Sequence, residues 1–314
     1  MDIAVQVALL GGGLTVALFA SNIAVSYTRA LAHSLGAPTF VVGVVLVALG
    51  TDLPEIANSI ASHLQDEGDV NVGDSVGSTL TQDTFVLGLF PLIVAVIAIS
   101  RRQVGLVMGL TVVGLLLTVW SVSDGYLGRT DGVILVLAWV VSIGLVARYG
   151  GVGHAADEPP KVRLGGHVSR ALVVLGTLLL VGLGATVAVR ALVDLAETLG
   201  VPAFALAFFG ASLGTSAPEI VVDLTALARG APGIALGDAL GSSLVDATLS
   251  IGIGPIVQPA SVTARLAVVA TVYTTIAVAV VAVLLMIRRR HDRASAPVLI
   301  GLYLLSYVVL ITAD

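Results

Sequence analysis

The chain reads as long apolar runs interrupted by short clusters of charge, glycine and proline. Splitting at those clusters leaves ten candidate segments, at about 3–27, 39–64, 71–98, 103–122, 131–148, 166–192, 201–228, 233–257, 262–287 and 295–312. Each is close to the roughly 20 residues that an α-helix needs to cross a hydrocarbon core. Membrane strands would be short and alternating, whereas these runs are continuous. The pattern therefore predicts an all-α polytopic membrane protein with ten transmembrane helices.

Composition agrees. Apolar residues make up 57% of the 314 positions and charged residues 11%, against about 25% charged in a soluble domain. A soluble enzyme is excluded, and no enzymatic activity is expected. A net charge of −5 with a pI near 5.4 argues against nucleic acid as a partner. The absence of cysteine rules out disulfides, thiolate metal sites and cysteine nucleophiles. Asp2, with no Lys or Arg before the first run, argues against a cleaved signal peptide.

The basic residues set an expected orientation. With the N-terminus outside, Arg29, Arg101, Arg102, Arg148, Lys161, Arg163, Arg170, Arg229, Arg288, Arg289, Arg290 and Arg293 fall on the cytoplasmic side. Arg129, Arg190 and Arg265 fall outside. Both termini are then expected on the outer face of the cell membrane. Residues 149–165 read as a cytoplasmic linker between halves at 1–148 and 166–314.

The halves are related. A shift of 164 aligns 35–84 with 199–248 without a gap. The matches include Gly50/Gly214, Thr51/Thr215, Pro54/Pro218, Glu55/Glu219, Gly73/Gly237, Asp74/Asp238, Gly77/Gly241, Ser78/Ser242 and Thr84/Thr248. Chance similarity between apolar helices would match Leu, Val and Ala instead. Five spans per half is an odd number, so the halves are expected to insert in opposite orientations. Secondary transporters are built this way, with the substrate site at mid-membrane where the repeats meet.

Eight acids fall inside the spans: Asp52, Glu55, Asp74, Asp83, Glu219, Asp223, Asp238 and Asp246. Each costs about 2.5–3.5 kcal/mol at a span centre, and no intramembrane Lys or Arg offsets them. They must be protonated, be wetted or hold cations. Residues four apart share a helix face. Thr51, Glu55 and Ser59 form one stripe, matched by Thr215, Glu219 and Asp223; Asp74, Ser78 and Gln82 form another, matched by Asp238, Ser242 and Asp246. All are oxygen donors, as hard cations such as Ca²⁺ require, and none is the nitrogen or sulfur ligand favoured by zinc or copper. Pro54 and Pro218 interrupt their helices just before the glutamates. The carbonyls expected to be freed there lie near Ala48 and Ser212. Gly73, Gly77, Gly237 and Gly241 are expected to let partner helices approach closely.

The motifs carry a resemblance. Gly50-Thr51-Asp52-Leu53-Pro54-Glu55 and Gly214-Thr215-Ser216-Ala217-Pro218-Glu219 resemble the two signature repeats of the cation/calcium antiporter superfamily. Gly73-Asp74-Ser75-Val76-Gly77-Ser78 and Gly237-Asp238-Ala239-Leu240-Gly241-Ser242 resemble its second motif. Within it, the prokaryotic sodium/calcium exchanger branch is most similar. The resemblance implies an antiporter exchanging Ca²⁺ for Na⁺ by alternating access. It implies Glu55 and Glu219 as central carboxylates, with oxygens from Thr51, Thr215, Ser216, Ser78, Ser242, Asp246 and the backbone at Ala48 and Ser212. It also implies that the first span of each half slides past a rigid core, for which Gly11, Gly12, Gly13, Gly176, Gly182 and Gly184 would provide a smooth face. Departures add acids: Asp52 stands where the superfamily usually has Ser, and Asp74 and Asp238 where it has Asn. Gln82 replaces Asn or Asp, with Asp83 beside it. Ca²⁺, Na⁺ and the bilayer are the expected partners, with H⁺ as an alternative coupling ion and no cofactor or obligatory protein partner. Two other readings are weaker. An intramembrane aspartyl protease lacks its full motif here and leaves the glutamates unexplained, and a cation channel leaves the inverted repeat unexplained.

Overall fold

A computed structural model describes residues 3–151, 162, 166–198 and 216–313. Eleven helices are described: α1 (Ile3–Leu35), α2 (Thr39–Thr51), α3 (Leu53–Leu64), α4 (68–93), α5 (Arg101–Val122), α6 (Arg129–Tyr149), α7 (His167–Thr198), α8 (Ala217–Ala228), α9 (Pro232–Val257), α10 (Ala264–Arg288) and α11 (Ala296–Ala313). Four short strands join them: β1 (Val96–Ala98), β2 (Tyr126–Leu127), β3 (Ala260–Ser261) and β4 (Arg290–Asp292). Among the described residues six helices (α1, α5, α6, α7, α9 and α10) are long and apolar enough to cross a bilayer. The pair α2–α3, bent by 44°, is long and apolar enough only when its two helices are taken together. Most boundaries lie within a few residues of the sequence reading. The first half of the segment at 201–228 and most of the linker lie outside the described residues.

The bend has a local cause. Pro54 sits in the first turn of α3 and has no amide hydrogen for the carbonyl of Gly50. Asp52 leaves helical geometry at φ −81°, ψ 5°, and Ser216, before Pro218, does the same at φ −84°, ψ 10°. The Ala48 carbonyl is not freed as expected. It accepts the Asp52 amide at 3.0 Å and the Thr51 hydroxyl at 3.0 Å, because the chain completes its last helical turn before breaking.

Element boundaries recur at the offset of 164. Leu53–Leu64 maps onto Ala217–Ala228, and Leu87–Ile93 onto Ile251–Val257. Strand pairing follows the same relation: β1 pairs with β4 and β2 with β3, both antiparallel. Each ribbon marks one end of the bundle. The β1–β4 end gathers Gln103, bonded to Gly150, and Arg101, bonded to Met286. The β2–β3 end gathers His63, bonded to Gln258, and Asp69, bonded to Thr263.

Glycine decides two helix crossings. A Cβ on Gly13 would lie 2.6 Å from the Gly184 carbonyl oxygen, and one on Gly184 2.7 Å from that of Gly13, so α1 and α7 meet backbone to backbone. This corrects the reading of those glycines as a sliding face: Gly13 and Gly184 lock the two helices to each other. Gly11, Gly12 and Gly176 meet nothing within 4 Å among the described residues, and Gly182 meets only Pro54. At the second crossing, Gly237 and Gly241 of α9 lie against Phe40, Gly43 and Val44 of α2. Gly73 and Gly77, their counterparts, meet no such neighbour among the described residues.

Candidate cation site

The broken pair α2–α3, helix α8 and the middle of α9 bring acids together in the core. Carboxylate oxygens of Asp52, Glu55 and Glu219 lie within 4.8 Å of one another. The three side chains are 1%, 3% and 0% exposed. Glu55 and Glu219 each stand in the first turn of a helix that starts at a proline-induced break, so the local sequence aims both inward. The ion pairs among the described residues join Asp292 to Arg288 and Arg290, far from this group. At that spacing, with an effective dielectric near 20, each pair of ionised carboxylates repels by at least about 3.5 kcal/mol. Full ionisation of all three needs cations among them.

A second layer surrounds the group. Thr51 Oγ1 lies 3.2 Å from Asp238 Oδ1 and 3.5 Å from Ser242 Oγ, bridging α2 to α9, with its single proton shared between Asp238 and the Ala48 carbonyl. Asp238, Ser242 and Asp223 are each fully buried, and Asp223 lies beside Asp238. Asp246 is buried and close enough to Asp52, Glu55 and Asp74 to sense their charge. Buried oxygens of Asp52, Glu55, Glu219, Asp223, Asp238, Asp246 and Ser216 have no hydrogen-bond donor among the described residues. An orphaned buried acceptor costs about 1–3 kcal/mol, more when charged, so such a concentration marks a place where something else supplies the missing partner.

Not every nominated residue joins this group. Asp83 is fully buried but lies beside Ser243, apart from the central three. Gln82 and Ser78 are buried on α4, and Asp74 is half-buried. Thr215 and Ser212 lie outside the described residues. Sequence reasoning missed Asn58, whose amide donates to Asp74 Oδ2 at 2.6 Å. It also missed two bonds that tie α3 to the C-terminal end of α9: Ser59 Oγ accepts the Gly254 amide at 3.1 Å, and His63 Nδ1 donates to the carbonyl of Gln258, just past α9, at 2.7 Å. A further omission is three π turns, at Gly43–Val47, Thr81–Val86 and Asp246–Ser250. They re-aim side chains inside otherwise continuous helices, Gln82 and Asp246 among them, and π turns recur at functional sites.

The model of the sodium/calcium exchanger protein family matches residues 5–148 and 169–312, two stretches of equal length set 164 apart. The chain belongs to the sodium/calcium exchanger protein family. It is a multi-span membrane protein and, like its family, a transporter and not an enzyme. This exchanger-family chain is 27% identical over 270 residues to the inner membrane protein YrbG of Escherichia coli, covering 81% of each. It is 26% identical over 268 residues to the putative antiporter CaxA of Alkalimonas amylolytica, covering 81% of this chain and 82% of the relative. It is 24% identical over 291 residues to the sodium/calcium exchanger MaX1 of Methanosarcina acetivorans, covering 80% and 82%. A solved structure of the sodium-calcium exchanger NCX_Mj, soaked with Na⁺ and Sr²⁺, matches with a TM-score of 0.79 over 98% of this chain and 99% of that one. At 22% identity this likeness speaks to the fold.

Proposed function

We propose that this exchanger-family protein is a secondary antiporter moving Ca²⁺ against Na⁺, with both ions bound among Asp52, Glu55 and Glu219 at mid-membrane. The observation that carries the reading is three buried carboxylates within 4.8 Å of one another, with no base paired to them among the described residues. Ca²⁺ takes six to eight oxygens in flexible geometry. The hydroxyls of Thr51, Ser78, Ser216 and Ser242, the carboxylates of Asp74, Asp238 and Asp246, and the Gln82 amide supply the remaining donors around that core. Thr215 and the backbone at Ser212 complete the proposed set, whereas the Ala48 carbonyl is already taken by the Asp52 amide and the Thr51 hydroxyl. Asp83 is assigned the outermost place in it, because it lies beside Ser243 and apart from the three central carboxylates.

The wider architecture in this reading is ten spans in two inverted repeats of five, 1–148 and 166–314, joined by a linker at 149–165. Recurrence of helix bounds at 164 residues and the reciprocal β1–β4 and β2–β3 pairing support it. The β1–β4 end, rich in arginine, is assigned to the cytoplasm and both termini to the outside. The names of the relatives MaX1 and NCX_Mj favour sodium as the counter-ion.

The test is ⁴⁵Ca²⁺ uptake into proteoliposomes under imposed Na⁺, K⁺ and pH gradients in turn. Uptake driven by Na⁺ alone is expected. Uptake driven by a pH gradient and indifferent to Na⁺ would replace the reading with a proton-coupled divalent cation exchanger.

A further inference from the structure

Residues 164 apart would have equal surroundings if α3 and α8 stood in equivalent places, and they do not. Pro54, Ala57 and Ala61 of α3 are exposed, whereas Pro218 is buried, Val221 half-buried and Thr225 only 7% exposed. Each trio occupies one helix face, by its spacing of three and seven residues. The α3 face looks toward α7, where Pro54 lies opposite Gly182, and the α8 face looks toward α1, where Thr225 meets Ser21. Helix α3 leans instead on α9, through Ser59–Gly254 and His63–Gln258. The α3 face toward the α1–α7 pair is therefore uncovered, while the matching α8 face is covered by α1.

A polar seam holds the closed side. Ser21 Oγ and Thr225 Oγ1 lie 2.8 Å apart in a buried setting. Arg229 Nη1 donates to the Asn22 carbonyl at 2.7 Å and to Asn22 Oδ1 at 3.0 Å, and Arg29 Nη1 donates to the Arg229 carbonyl at 3.5 Å. The residues 164 positions away differ in chemistry. Ser21 and Thr225 correspond to Ala185 and Ala61, Arg229 to Gln65, Asn22 to Thr186 and Arg29 to Val193. If α7 closed on α3 in the mirror arrangement, the hydroxyl pair and both guanidinium contacts would have no counterpart. Inverted-repeat transporters alternate by exchanging the surroundings of their halves, and the populations follow the difference in contacts between the two states.

We propose that Ser21–Thr225 and Asn22/Arg29–Arg229 form a one-sided latch that biases the protein toward the state with the α3 face uncovered. This rests on the alternating-access reading above. The chain has no cysteine, so Ala57→Cys and Val221→Cys serve as single reporters of the two clefts in vesicles labelled with a maleimide. Thr225→Ala with Arg229→Gln is expected to speed labelling of the Val221→Cys reporter by about tenfold and slow that of Ala57→Cys by about twofold, because removing most of the bias brings the two states near equal populations. Ala61→Thr with Ala185→Ser builds the missing hydroxyl pair on the mirror face and is expected to shift both reporters in the same direction. Gln65→Ala is expected to change neither. Unchanged labelling in both latch variants, or an equal shift in Gln65→Ala, would overturn the proposal. If the first variant fails to fold, the second decides alone. Loss of Na⁺-driven Ca²⁺ flux in the unmodified chain, with the labelling shifts intact, would remove the exchange reading and leave the latch standing.

Discussion

Asn58 Nδ2 lies 2.6 Å from Asp74 Oδ2, whereas Asp238, the residue 164 positions after Asp74, is met by the Thr51 hydroxyl at 3.2 Å. Two acids at equivalent points of the repeat are thus held by different donors from different elements. Position 222, the counterpart of Asn58, is a fully buried valine, and position 59, the counterpart of Asp223, is a serine. Negative charge near the proposed site is therefore unequal on its two sides, with Asp223 and Asp238 together toward the β1–β4 end.

Asn58→Ala is expected to raise the half-saturating Ca²⁺ concentration about tenfold while maximal flux changes little. A charge-assisted bond of this kind contributes about 1.5–3 kcal/mol, and its loss removes the Asn58 donor from Asp74 without touching the central carboxylates. Concentration-dependent ⁴⁵Ca²⁺ uptake checks this. A fall in maximal flux at unchanged half-saturation would count against a positioning role.

Glu55→Gln and Glu219→Gln are each expected to abolish Na⁺-driven Ca²⁺ uptake with membrane insertion retained. Each removes one of the three converging carboxylates while keeping its size. Retained exchange in either variant would remove that glutamate from the site.

Gly237→Val is expected to destabilise the protein by about 1–3 kcal/mol, the usual range for overpacking a tight core. Any Cβ at this position collides with the Phe40 carbonyl oxygen and the Gly43 backbone. Gly73→Val, at the equivalent position with no described neighbour within 4 Å, is expected to cost less. Thermal unfolding in detergent compares the two.

His291 predicts an acid limit on stability. Its Nε2 donates to the Leu87 carbonyl and Nδ1 faces Ser295 Oγ at 2.8 Å, in the β1–β4 ribbon. Burial holds its imidazole below the usual value, outweighing the Leu87 contact. A histidine held neutral when folded contributes fully above its unfolded pKa near 6.5 and loses that contribution as pH falls below it. The melting temperature is expected to drop below about pH 6.5, and His291→Gln is expected to flatten that part of the profile. An unchanged slope would show that other groups set it.

Much of the candidate site is legible in the amino-acid sequence. Acids inside apolar runs stand out because burying them is costly, and Pro54 and Pro218, one residue before each glutamate, announce a helix break. The convergence of Glu55 with Glu219 follows from those local facts plus the repeat. The placement of Asp83 is not legible, because a π turn rotates the helix between Gln82 and Leu87 without any sequence mark. The contributions of Asn58, Ser59 and His63 are equally hidden, since each is a polar residue whose role depends on which helix arrives opposite it.

By itself the sequence determined a membrane-embedded helical chain, a duplication at 164 residues and a set of oxygen donors with no base to neutralise them. These follow from local chemistry: apolar length, proline geometry and the cost of a buried charge. The tertiary structure alone decided which acids meet, which glycines lock a crossing, and that α8 closes on α1 while α3 does not close on α7. Those outcomes depend on contacts between elements far apart in the chain. Two helices of nearly the same sequence pattern came to rest in different surroundings because the surfaces they meet, Ser21 and Asn22 on one side and Ala185 and Thr186 on the other, offer different partners.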